Sequence, residues 1–304
     1  MLKIDTETIQ VYPAKTRITL NDKATKTLFN QTEENYEKLM NGSKRGVIEK
    51  KKHKKHGDIK SGYQLQNENG YTNIAPLGEY ERAVLDVCIS EYDNGTRYIS
   101  IAIIQRALSG KNCEGNKNGN TPYKNQLAEI KQSLDKLMCT LYDPDILEVY
   151  EELNYEGAEK ITKSPILPAK RTEKIIGGKK QELIYFYDES PLAKQAKIKG
   201  QILTYPANLL DVPNQNNTPF VIALKNYTLR RVLEIKQHSK QLKPILTLED
   251  IFKKCRITNA DRKTKARARE YIDKFFAHLQ KKKLIKSYEF TKKGNQFYSI
   301  KFIF

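Results

Sequence analysis

Cysteine is scarce in this chain: Cys88, Cys113, Cys139 and Cys255 lie far apart and form no C-x-x-C pair. That spacing argues against a zinc module built on cysteine pairs and against a disulfide framework. Three of the four stand where a small core hydrophobe fits, a common use of free cysteine. Histidine is equally rare, with four residues. His53 and His56 are three apart but stand in a lysine run where like charge opposes a metal ion, and His238 and His278 are isolated. The paired-histidine metal site that a rolling-circle nickase needs beside its tyrosine is therefore missing. The 18 tyrosines are spread over predicted cores and strands, where packing accounts for them. No G-x-x-x-x-G-K-S/T loop is present to cradle nucleotide phosphates, since the glycines between Gly110 and Gly119 lack its spacing. No apolar run approaches the roughly 20 residues of a bilayer crossing. Met1, Leu2, Lys3, Ile4 and Asp5 show neither the apolar core nor the cleavage site of a secretory signal. These absences lead to the expectation of a cytoplasmic, non-catalytic protein with no metal, no cofactor and no membrane span.

What the chain does have is positive charge, unevenly placed. Its 304 residues suffice for two domains with separate cores, and the net charge is +18. Residues 218–304 hold 22 lysines and arginines against 7 aspartates and glutamates, whereas residues 1–217 hold 32 against 29. An excess concentrated in one segment points to a single polyanion-binding domain rather than a generally basic surface.

The hydrophobic pattern divides the chain into three. Residues 1–76 read as an N-terminal extension, with a strand candidate at 8–12 and the polarity of an exposed helix over 21–40. Within it, residues 44–60 form a lysine-rich arm that repels itself and reads as a mobile arm or loop. The arm either adds nonspecific phosphate contacts or is a solvated linker. Residues 77–210 then carry a helix with Val84, Leu85, Cys88, Ile89 and Tyr92 at helical spacing, stopped by Asp93, Asn94 and Gly95. A second helix over 101–108 closes at Gly110. In a third, capped by Thr121 with Pro122 at its first position, Leu127, Ile130, Leu134, Leu137 and Met138 share a face. Strands over 169–176 and 179–187 flank Gly177 and Gly178, a turn dipeptide suited to positive φ.

After the polar junction 211–217, residues 218–304 repeat that order in different residues. A long helix spans 218–238, and a short one is capped by Thr247 with Glu249 and Asp250 in its first turn. A third helix, capped by Asn259 or Asp261, runs to about 281. Strands over 284–290 and 296–304 then alternate around Lys292, Lys293, Gly294 and Asn295. The expected fold class is α+β: two tandem winged-helix domains, each of three helices and a β-hairpin wing.

The third helix of the second domain carries the sharpest functional signal. Arg262, Lys265 and Arg269 recur at i, i+3 and i+7, and Lys263 and Arg267 at i and i+4, opposite Ala268, Tyr271, Ile272, Phe275, Phe276 and Leu279. A solvated surface helix alternates charge sign, but here Asp261, Glu270 and Asp273 are the only acids. The N-terminal half of such a helix is what a helix-turn-helix protein inserts into the major groove. There an arginine grips guanine O6 and N7, a pair worth about 1–3 kcal/mol of discrimination. Arg256 and Asn259, in the preceding turn, are expected to touch bases or phosphates, and Lys292 and Lys293 the flanking backbone. The first domain's third helix mixes Lys124, Lys131 and Lys136 with Glu129 and Asp135, though its wing carries Lys170, Arg171, Lys179 and Lys180. It reads as a secondary DNA contact through Lys124, Lys170, Arg171, Lys179 and Lys180, as a self-association module, or both.

Three stretches bear a resemblance to a known family. They are Gly200-Gln201-Ile202-Leu203-Thr204-Tyr205, Tyr227-Thr228-Leu229-Arg230-Arg231-Val232-Leu233-Glu234, and the ending Lys292-Lys293-Gly294-Asn295-Gln296-Phe297-Tyr298-Ser299-Ile300-Lys301-Phe302. In order and character they resemble the second domain of the iteron-binding plasmid replication initiators, a class built from two winged-helix domains; the resemblance covers about residues 77–304. It implies binding to repeated origin sites in double-stranded DNA, a first domain also used for dimerisation, and recruitment of host replication proteins without ATP hydrolysis. A transcriptional regulator of a mobile element with the same fold is the alternative reading. A nickase or recombinase would require magnesium- or manganese-dependent DNA cleavage.

Overall fold

In the computed structural model the described residues are 13–29, 51–53, 57–59, 63–65, 77–111, 124–142, 164–176, 178–294 and 296–304. They form helices and small antiparallel sheets, an α+β architecture. The chain enters through β1 (Thr16–Leu20) and α1 (Lys23–Phe29). The strand candidate at 8–12 lies outside the described residues. The helix expected to be exposed over 21–40 is described only as α1, and it buries Leu28 and Phe29. Thr25, Leu28 and Phe29 lie at i, i+3 and i+4, a spacing that turns one face to the core. Part of the lysine-rich arm, expected as an arm or loop, forms two three-residue strands. These are β2 (Lys51–His53) and β3 (Gly57–Ile59), with Lys51 opposite Ile59. Backbone pairing of this kind needs no apolar face, which the reading from charge alone overlooked. After β4 (Tyr63–Leu65) comes α2 (Glu79–Asp93), whose first turn is closed by the Glu81 carboxylate accepting from the Gly78 amide at 2.9 Å.

The first unit continues with β5 (Tyr98–Ser100), α3 (Ile101–Leu108) and α4 (Lys124–Cys139). The Ser100 hydroxyl caps α3 by accepting from the Ile103 amide. Gly110 ends it at φ +73°, and a Cβ there would lie 2.5 Å from the Asp211 nitrogen. Strands β6 (Thr140–Tyr142) and β7 (Ser164–Pro165) extend β4 into a three-stranded sheet. The hairpin β8 (Ala169–Ile176) and β9 (Lys179–Phe186) adds to β5 in the order β5-β9-β8. Gly178 takes φ +74°, as the turn requires.

Next come α5 (Pro191–Ile198), β10 (Ile202–Pro206) and one turn of 3₁₀ helix (Ala207–Leu210). Strand β10 pairs with β1 along its whole length, Thr16 opposite Pro206 and Leu20 opposite Ile202. The N-terminal segment is thereby built into the junction between the two halves. The second unit follows: α6 (Pro219–Gln237), β11 (Ile245–Thr247), α7 (Leu248–Lys254), α8 (Arg262–Lys281), β12 (Ser287–Lys293) and β13 (Gln296–Ile303). Its sheet runs β11-β13-β12, all antiparallel. Strand β12 starts three residues later than expected because residues 283–284 still close α8. Lys283 takes φ +59°, and the Leu284 amide donates to the Leu279 carbonyl at 3.0 Å, a helix-terminating arrangement.

Two hydrophobic cores result. One gathers α1 to α5 and the β5-β9-β8 sheet, and the other gathers α6, α7, α8 and the β11-β13-β12 sheet. Helices α2 and α6 pack against each other between them, and Ile222 of α6 belongs to the first core. At that seam Arg230 and Glu79 form a salt bridge of 2.6 Å with side chains 5% and 2% exposed.

Candidate nucleic-acid interface

Helix α8 is started by Asp261, whose carboxylate accepts from the Thr264 amide at 2.6 Å. Hydrogen bonds from Thr264 hold that carboxyl below its ordinary range. Along the helix Ala268, Ile272, Phe275, Phe276 and Leu279 are fully buried, so the face that meets α6 and β12 is fixed by packing. The cations point elsewhere: Arg262, Lys263 and Arg267 are exposed, while Lys265 and Arg269 are half-buried.

Two of the three carboxylates on this element are already engaged. Asp261 caps the helix, and Asp273 accepts from the Tyr288 hydroxyl at 2.8 Å. Burial, then this carboxylate, push the Tyr288 phenol above its ordinary range. Among the described residues no salt bridge involves Arg262, Lys263, Lys265, Arg267 or Arg269; the bridges lie in the first unit, at the seam and on α6. Unneutralised cations spread around the sides of the helix turned away from the core create the local positive potential that a polyanion seeks.

The hairpin beside α8 carries further charge. Lys292 and Lys293 are exposed at the end of β12, where Gly294 turns at φ +62°. Phe297 and Tyr298, the next described residues but one, are 40% and 46% exposed. The Arg269 guanidinium carbon lies 4.8 Å from the centre of the Phe297 ring, and the Lys292 ammonium 5.0 Å from it. Alternation alone assigns Tyr298 to the core side of β13, so the exposure of these two aromatics was not legible from the pattern. The lysine-glycine turn beside them was the available signal.

The remaining predicted site residues divide. Asn259 is exposed in the turn before α8. Arg256 takes φ +58° and sends its guanidinium to the start of α2, where a Cβ on Gly78 would meet its Cζ and Nη2 at 3.3 Å. Arg256 therefore joins the two units, although its side chain stays exposed. In the first unit Arg171 bonds Asp135 at 2.8 Å and lies 3.7 Å from Glu182, and Lys180 pairs with Glu173. Lys170 is exposed, 5.6 Å from the Tyr185 ring. Lys124 opens α4 and Lys179 opens β9, their side chains lying outside the described atoms. Arg230, three residues after Tyr227 in one of the stretches that carry the family resemblance, faces the seam and not the solvent.

Among the described residues no group of three or more histidine, cysteine, aspartate or glutamate side chains is arranged to hold a metal ion, and no helix is long and apolar enough to cross a membrane. Comparison with known proteins gives no matching family model and no matching curated protein. Among solved structures the chain is similar to one described as the crystal structure of Pi initiator protein in complex with iteron DNA. The identity is 15% and the TM-score 0.36, over 74% of this chain and 92% of that chain.

Proposed function

We propose that residues 77–210 and 218–304 are two winged-helix domains and that the chain binds double-stranded DNA by sequence, with α8 in the major groove and the β12–β13 hairpin as the wing. The unbridged cations from Arg262 to Arg269, on a helix whose opposite residues Ala268, Ile272, Phe275, Phe276 and Leu279 are fully buried, are the observation that carries this reading. A helix in this position offers arginines to base edges from its first turns and lysines to phosphates on either side. The first domain supplies weaker contacts or self-association, a division supported by the engagement of Arg171 and Lys180 with carboxylates. Following the resemblance to iteron-binding initiators, we take the activity to be replication initiation at repeated origin sites of a plasmid or mobile element. It proceeds by binding and recruitment of host proteins, without catalysis by this chain.

Selection from random duplexes with the full chain, followed by gel-shift titration, tests the assignment. Arg262→Ala combined with Arg269→Ala is expected to lower affinity for the selected duplex by about a hundredfold. Lys51→Ala combined with Lys54→Ala is expected to cost only a few-fold, through phosphate contacts. Equal losses would remove α8 as the reader. A footprint on iterated sites beside an origin supports the initiator, and one at a promoter would make the protein a regulator.

A further inference from the structure

The register of the wing contains an irregularity with a directional consequence. Thr291 of β12 opposes Ser299 of β13, but the next pair is Lys292 with Phe297, so Tyr298 is an extra residue. In an unbroken ladder Lys292 would oppose Tyr298, and Phe297 would point away from α8 together with Ser299 and Lys301. The bulge returns Phe297 to the side of Tyr288 and Phe290. The Phe290 ring indeed meets Phe297 edge-on, with centroids 5.8 Å apart at 78°. Bulges re-aim side chains in this way near working sites.

The re-aimed ring is anchored and then occupied. An aromatic chain leads to it from the core, Phe276 to Tyr288 at 5.4 Å and Tyr288 to Phe290 at 6.3 Å. Over it lies the guanidinium of Arg269, its Cζ 4.8 Å from the ring centre. Guanidinium groups stack on aromatic faces by attraction to the ring quadrupole. A carboxylate would also hold an arginine, but it would neutralise the charge and take the donors. A ring takes neither, so the N–H groups stay available for a guanine or a phosphate.

We propose that Phe297 is the positioning residue for Arg269: the bulged wing holds this guanidinium ready before DNA arrives, so that helix and wing read as one unit. The inference rests on the reading of α8 as the DNA-binding helix. Restricting a rotamer-rich side chain beforehand raises affinity by cutting the ordering cost of binding, and it does so at the base-pair step that Arg269 meets.

Two measurements separate the possibilities. In the DNA-free full chain, the Arg269 side-chain proton resonances are expected to be ring-current shifted, to lose that shift in Phe297→Leu and to keep it in Phe297→Tyr. On the duplex selected with the natural chain, Phe297→Leu is expected to lower discrimination against a scrambled duplex about threefold to fivefold. Phe297→Tyr should retain it, and Phe297→Leu should add nothing in an Arg269→Ala background. Arg269→Lys, which leaves the wing untouched, should reproduce the Phe297→Leu loss even where the leucine variant folds poorly. Additive losses in the double variant, or full discrimination in Arg269→Lys, would overturn the positioning role. Absence of any sequence preference in the natural chain would instead remove the DNA-reading assignment, while the resonance shift would still report whether the pair forms.

Discussion

Lys225 lies within α6 with no solvent exposure, its ammonium donating to the Leu210 carbonyl and to Asn217 Oδ1, each at 2.7 Å. Burial pulls its pKa down to about 7 from the ordinary 10.5, with Asp211 opposing the shift. Between those values the unfolded chain binds more protons at this site than the folded one, so stability gains from this lysine as pH rises through the window. Below pH 7 both states are protonated and the full penalty applies. Lys225→Met removes the titration. In urea unfolding from pH 7 to pH 9, the natural chain is expected to gain about 2 kcal/mol more than Lys225→Met. Parallel pH dependence in the two proteins would show that the ammonium reaches water. A second contrast at this scale is between Arg230 and Arg269. Both stand on long helices, yet one is locked to Glu79 inside the molecule and the other rests on an exposed ring. Nothing in their immediate neighbours distinguishes them, because α6 is buried on most sides and α8 on one.

Helix α3 illustrates how tightly an element's end can be specified. Gly110 needs positive φ, and its missing side chain admits the 3₁₀ turn, with Leu210 C at 2.7 Å and Ala207 O at 2.8 Å from a would-be Cβ. Gly110→Ala combines a left-handed backbone penalty with a clash against backbone that cannot swing away. It is expected to cost about 2–4 kcal/mol, read as a lowered thermal midpoint; a loss below about 0.5 kcal/mol would mean the junction segment yields. The helices were largely legible in the sequence because each announces itself locally. Thr247 and Asp261 are caps, Gly110 is a stop, and the apolar residues of α2 and α8 keep helical spacing. The pairing of β1 with β10 was not, since Leu20 and Ile202, the partners nearest in sequence, are 182 residues apart and no local signal joins them. The three-residue β11 is too short to show periodicity, whereas α5 carries a start signal in Ser190 and Pro191 that reading the apolar pattern alone passes over. The exposed cations of the candidate site were legible from spacing. The reach of the exposed Arg256 side chain towards Gly78 and the bulge that re-aims Phe297 depend on tertiary contact and register, which composition does not encode.

Across the whole molecule, charge and packing are segregated. Most of the net +18 belongs to the second unit, and on α8 it is left unbridged among the described residues. The seam between the units instead gathers Arg17, Arg82 and Arg230 with Glu79, Asp86 and Glu91, all buried. Thr19 donates to Asp86 at 2.6 Å, Arg82 to the Leu20 carbonyl at 2.5 Å, and the Ala14 amide to Glu91 at 2.8 Å. Arg17 lies in the field of Glu91 and Asp86, but its three guanidinium nitrogens have no hydrogen-bond partner among the described residues, and of these six ions only Arg230 and Glu79 form a salt bridge. The described salt bridges thus gather in the first unit and along α6, whereas α8 displays its cations. Replacing individual guanines of the selected duplex by 7-deazaguanine removes the N7 acceptor without altering base pairing, and binding to each substituted duplex tests the reading role of α8 most directly. At one or more guanines the natural chain is expected to weaken about tenfold, while Arg262→Ala or Arg269→Ala is indifferent to the same replacement. If every replacement weakened the natural chain and both variants equally, α8 would not be reading those bases.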